Sequence, residues 1–143
     1  MREAEARARV LEEAKTWLGT PYHHMGRVRG SGVDCGMLLM EVYEAAGVMP
    51  HLEVDFYPHD WHMHRSEPLY LQKVKEHARV VEQPQPGDIA VFKYGRCVAH
   101  GAIVTQWPQI IHAYIGLGVV YEDCLTNIDL GSRLVGFYSP WGM

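Results

Sequence analysis

The stretch Val33-Asp34-Cys35-Gly36-Met37-Leu38-Leu39 decides how this chain folds. Beyond Cys35 the apolar residues Leu38, Leu39, Val42, Tyr43 and Ala46 fall at i+3, i+4, i+7, i+8 and i+11, the spacing of one buried helical face. Gly47 stands where a C′ glycine ends such a helix, and Asp34 stands where an N-cap begins it. A loop therefore delivers Cys35 onto the first turn of a buried helix. Unpaired N–H groups and the positive end of the helix favour a thiolate there, and can bring a thiol pKa from about 8.5 down to roughly 3.5–7.5. Cys35 then reads either as a nucleophile or as the first apolar residue of a core face, since free cysteine is among the most buried residue types.

Upstream, Ala4 to Leu18 predicts an amphipathic helix with Ala6, Val10, Ala14, Trp17 and Leu18 on one side, closed by Gly19 and Pro21. Thr20 to Gly32 carries Tyr22, His23, His24, Arg27 and Arg29 among glycines 26, 30 and 32, and reads as a surface loop able to approach a ligand closely. Downstream, Met49 to Pro68 has no clean period. His59, His62, His64 and Asp60 could be drawn as zinc ligands, but no HExxH or other spaced signature accompanies them, and no metal is assigned. A loop of this kind is more often functional or partner-facing than idle.

Leu69 to Val81 predicts a third helix from Leu71, Val74, Ala78 and Val81. Gln83-Pro84-Gln85-Pro86-Gly87-Asp88 then breaks the chain. Ile89 to Lys93, Val98 to Thr105, Ile110 to Ile115, Gly118 to Cys124 and Leu134 to Tyr138 read as short strands. Helices first and strands after is the α+β pattern with antiparallel pairing. No repeat or boundary divides residues 1–143, which are expected to form one domain.

A chain of 143 residues buries a sizeable core without staples, and 48% hydrophobic with 21% charged residues is ordinary globular composition. A net charge of −4 offers no general basic field, which argues against nucleic acid as a partner. Cys35, Cys97 and Cys124 form no CxxC, so neither a disulfide framework nor a cysteine zinc site is indicated. No stretch is long and apolar enough for a membrane span, and Met1 to Arg7 lacks the apolar core of a signal peptide.

In Val98-Ala99-His100-Gly101-Ala102-Ile103-Val104, His100 shares a face with Ala102 and Val104; in Ile110-Ile111-His112-Ala113-Tyr114, His112 shares one with Ile110 and Tyr114. Folding about Gln106-Trp107-Pro108 puts His100 opposite His112 or within a residue or two of it. A lone strand histidine is more often a satisfied core residue than a base. Two on adjacent strands, with a cysteine at a helix start, make the nucleophile, base and orienter of a thiol hydrolase. Gly101 leaves room beside His100 for a helix or substrate to approach.

The succession Trp17-Leu18-Gly19-Thr20-Pro21-Tyr22, Gly32-Val33-Asp34-Cys35, Gln85-Pro86-Gly87-Asp88-Ile89, Ala99-His100-Gly101-Ala102-Ile103-Val104 and Ile111-His112-Ala113 resembles the NlpC-type cell-wall cysteine peptidases, most of all their short phage-tail and gene-transfer-agent members. The resemblance implies a papain-like α+β fold, N-terminal helices packed on a C-terminal antiparallel sheet. It implies Cys35 as nucleophile, His100 as base, His112 as its orienter, Tyr22 beside the cysteine as an aid to substrate or oxyanion, and Asp34 and Gly36 at the substrate. Tyr22 read by itself is a packing aromatic, and Asp34 a plain helix cap. The family's usual Asp-Cys-Ser-Gly stands here as Asp34-Cys35-Gly36-Met37, without the serine hydroxyl that contacts substrate.

The activity so implied is hydrolysis of peptidoglycan stem peptides at the bond between D-glutamate and a diamino acid, with no metal or organic cofactor. A protein made in the cytoplasm would reach the wall as part of a phage tail or gene-transfer particle, with tail-tip proteins as partners. The rival expectations are a non-catalytic tail-assembly or tail-tip protein on the same fold, and an intracellular thiol amidase or acyltransferase.

Overall fold

The computed structural model describes residues 2–53, 69–94 and 97–142. In chain order they form α1 (Glu3–Thr16), β1 (Arg27–Val28), β2 (Gly32–Val33), α2 (Cys35–Ala45), α3 (Leu69–Lys75), β3 (Arg79–Val81), β4 (Ile89–Tyr94), β5 (Cys97–Gln106), β6 (Gln109–Tyr114), β7 (Gly118–Asp123), α4 (Ile128–Ser132) and β8 (Leu134–Ser139). The larger sheet has the order β3-β8-β4-β5-β6-β7, with every neighbouring pair antiparallel.

Strand alternation divides the core between the two faces of that sheet. Ile89, Val91, Ile103, Ile111 and Ala113 pack with Val10 and Ala14 of α1 and with Leu38, Leu39, Val42 and Tyr43 of α2. Ala90, Phe92, Ala102, Val104 and Ile110 alternate with them and pack with Leu130 of α4. Helix α2 buries Met37, Met40 and both leucines because the sheet, α1 and α3 surround it. Each fully buried leucine or methionine contributes about 1.5–3 kcal/mol. As the spacing predicts, Gly47 takes φ +76° directly after the helix.

The helix expected over Leu69 to Val81 is cut short. It runs Leu69–Lys75, and Arg79–Val81 is instead the edge strand β3, paired with Phe137, Tyr138 and Ser139 of β8. Ala78 and Val81 fall at helical spacing by coincidence; the backbone partners offered by β8 outweigh local preference. The glycine-rich segment likewise contains structure, a two-residue ladder of β1 and β2 in which Arg27 faces Val33. Gly26 permits it, since a Cβ there would lie 2.6 Å from the Gly32 carbonyl oxygen.

Arg7 ties the two halves together. Its Nη1 donates to Oδ1 of Asp88 and to the Pro86 carbonyl, both at 2.9 Å, and its guanidinium lies 4.2 Å from the Trp141 ring centre. The buried Tyr43 hydroxyl donates to the Gly87 carbonyl at 2.5 Å, so the Pro86-Gly87-Asp88 turn is anchored to both α1 and α2.

Candidate active site

Cys35 opens α2, and Asp34 caps it as its position predicts: Oδ1 accepts from the Met37 N–H at 2.9 Å. The first intrahelical bond runs from the Leu38 N–H to the Asp34 carbonyl, so the N–H groups of Cys35 and Gly36 come before the helical ladder begins. Oδ2 of Asp34 accepts from the Met25 N–H at 2.8 Å. Met25 has φ +61°, a left-handed conformation uncommon for a side chain of its size. The carboxylate is buried and therefore serves as a clamp between the segment leading into β1 and the start of α2.

Tyr22 is held beside this turn by a bridge to Val33, flanked by hydrogen bonds from the His23 N–H to Val33 and from the Val33 N–H to Pro21. Burial, and after it the Coulombic influence of the neighbouring Cys35 and Asp34, push its phenol far above the ordinary range. Tyr22 is thus a hydroxyl donor at any working pH.

The imidazoles form the second half of the site. Register pairs Ile103 with Ile111, and Nε2 of His100 lies 2.7 Å from Nδ1 of His112. Their rings meet at 71°. Phe92, directly across the ladder from His100, and Tyr114, two residues beyond His112, supply further ring contacts. Burial, with His112 as a second cause, holds His100 well below the usual histidine range; burial alone lowers His112 to about 4. Both rings are therefore neutral near pH 7. The β4–β5 register slips between Phe92 and Lys93, immediately beside His100, a device that re-aims side chains at the ends of strands.

The site residues expected from the sequence therefore gather in two groups. Tyr22, Asp34, Cys35 and Gly36 surround the start of α2, and His100 and His112 lie on β5 and β6, the strands against which α2 packs. Met25 and Tyr114 were not among the expected residues. Met25 carries no sequence signal, whereas Tyr114 shares the strand face of His112 and could have been found by its i+2 spacing. Cys124 is buried, and its thiol is pushed up to about 12 by burial and then by Asp123 and Glu122, which suits an inert bystander.

Among the described residues, Glu41, Glu44 and His51 bring potential metal-ligand atoms within 4.8 Å of one another. His51 is engaged with Glu44 and Glu53, and Glu41 pairs with Arg27 at 3.3 Å, which accounts for the cluster as an ion-pair network. The grouping of His59, Asp60, His62 and His64 lies outside the described residues.

A model of the NlpC/P60 family matches residues 19–133, which include every residue of both groups. The chain belongs to the NlpC/P60 family.

Solved NlpC/P60 structures share its fold. One is a lipoprotein-like NLP/P60 protein from Staphylococcus aureus, 22% identical with a TM-score of 0.71 over 99% of this chain and 43% of that one. The chain thus spans less than half the length of that protein. A second is the NlpC/p60 domain of the peptidoglycan hydrolase SagA, 22% identical with a TM-score of 0.63 over 96% and 98%. A third is RipD from Mycobacterium tuberculosis, described as a non-catalytic NlpC/p60 domain adapted to peptidoglycan binding, 17% identical with a TM-score of 0.57 over 93% and 95%. No curated protein matches the chain. Among the described residues, no helix of this NlpC/P60 chain is long and apolar enough to cross a membrane.

Proposed function

We propose that this NlpC/P60 chain is a cysteine peptidase that hydrolyses peptidoglycan stem peptides between D-glutamate and the following diamino acid. The observation that carries the reading is the buried, hydrogen-bonded His100–His112 pair on the strands that receive the helix begun by Cys35. With Nε2–H of His100 donating to Nδ1 of His112, Nδ1 of His100 is left as the basic nitrogen. His100 then takes the thiol proton as the Cys35 sulfur bonds to the D-glutamyl carbonyl carbon. The carbonyl π-electrons move onto oxygen, and the N–H groups at the head of α2 and the Tyr22 hydroxyl can hydrogen-bond that oxyanion, each such donor contributing on the order of 3 kcal/mol. Collapse breaks the C–N bond, His100 gives its proton to the leaving amine, and a thioester to Cys35 remains. Water, deprotonated by His100, releases the acid and regenerates the thiol.

Delivery by a phage tail or gene-transfer particle, with tail-tip proteins as partners, is the setting we propose for this activity; it rests on the sequence resemblance alone. Purified peptidoglycan incubated with the chain and with its Cys35→Ala variant tests the reading by mass spectrometry of the released muropeptides. The expected products carry a new amino terminus at the diamino acid and are absent from the variant. Sedimentation with peptidoglycan, with no difference in products between the two proteins, would replace the peptidase with a wall-binding protein.

A further inference from the structure

We propose that Tyr114 is a positioning residue for the His100–His112 pair, an inference that rests on reading that pair as base and orienter. The Nε2···Nδ1 hydrogen bond joins the two imidazoles, and the aromatic ring packed on both bears on their pitch. Tyr114 touches both. Its ring centre lies 5.6 Å from that of His100, nearly perpendicular at 84°, and 5.3 Å from that of His112 at 47°. With the 5.0 Å contact between the imidazoles, each of the three rings meets the other two in the range of edge and offset aromatic packing.

The backbone explains how Tyr114 reaches both partners. It ends β6 on the face that carries His112, and continuing the Ile103–Ile111 register places it across from His100. Its other neighbour in the sheet is Gly118, whose φ of +78° and close approach to the Thr20 carbonyl exclude a side chain. No side chain at Gly118 competes with Tyr114 on that cross-strand position. A ring held on a strand end rather than on a loop can govern the direction in which Nδ1 of His100 points, and misdirecting a base by an ångström costs orders of magnitude in rate.

Tyr114→Phe and Tyr114→Leu in the full chain separate the ring from the hydroxyl. The phenylalanine variant keeps the ring contacts and is expected to retain far more of kcat than the leucine variant. The leucine variant is expected to lose about tenfold or more in kcat at unchanged KM, and its imidazole 15N resonances are expected to titrate at higher pH as water reaches the rings. A folded leucine variant with wild-type kcat and unshifted imidazole titration would overturn the proposal, and so would a phenylalanine variant as impaired as leucine. Should the wild-type chain cleave no muropeptide, the peptidase reading fails, while the imidazole titrations still decide whether Tyr114 orders the pair.

Discussion

Nε2 of His100 is bonded to Nδ1 of His112 at 2.7 Å inside the sheet, and neither ring has appreciable contact with solvent. Replacing His112 by alanine strips His100 of a buried partner, at a cost of about 1–3 kcal/mol. It also frees the base to rotate. We expect His112→Ala to lower kcat on muropeptides about a hundredfold or more, with His112→Gln retaining part of the activity because its amide oxygen can still accept a hydrogen bond. Steady-state kinetics, with circular dichroism to establish folding, measures this.

Acid should destabilise the fold through the same pair. Both imidazoles have pKa values below the ordinary 6.5, His112 at about 4, so the unfolded chain binds protons more readily than the folded one. Their contribution is complete above pH 6.5 and is lost as pH falls from there through the folded values. For His112 the loss approaches about 3 kcal/mol. Calorimetric melting in steps of pH should show a falling midpoint below about 6.5, and His112→Gln should flatten that slope.

Asp34 clamps two segments with one carboxylate, and its variants should rank by how many bonds survive. Asp34→Ala loses the Met37 cap and the Met25 tie, an expected cost of about 2–4 kcal/mol. Asp34→Asn can keep its carbonyl oxygen on one donor but turns an NH₂ toward the other, so it should fall between wild type and alanine. Urea titration gives the order directly. Equal stability of all three proteins would show that the clamp adds nothing.

Arg7 is remote from the imidazoles, and its effect should be on stability alone. Its partner Asp88 has only 2% of its side chain exposed, so Arg7→Ala leaves a buried carboxylate with its main cation removed, an expected loss of about 3–5 kcal/mol. Activity per folded molecule should be unchanged. Denaturant midpoints and active-site titration together separate these effects.

How much of this was legible in the residues depended on the range of the interaction. Helix α2 with its Asp34 cap and Gly47 stop was readable because period and punctuation are local signals. The strands β4 to β8 were readable from β-branched runs, and the meeting of His100 with His112 from a short hairpin connection. The edge strand β3 was not, because only pairing with a segment some sixty residues later makes Arg79–Val81 extended. Helix α4 escaped for a different reason: five residues are too few to show a period, and its Asn127 cap looks like any loop asparagine. The second bond of Asp34, to Met25, depends on the folded path of the glycine loop, which no spacing rule encodes.

The position of β8 bears on how the molecule is made. Of the sheet's described strands, the one made last, β8, is an interior one, inserted between β3 and β4. A nascent chain halted at residue 133 already carries Cys35, His100 and His112, yet β4 has one naked edge and β3 has no neighbour. The sheet can be completed only after translation has passed Ser139, so synthesis itself delays assembly of the platform beneath the candidate catalytic groups.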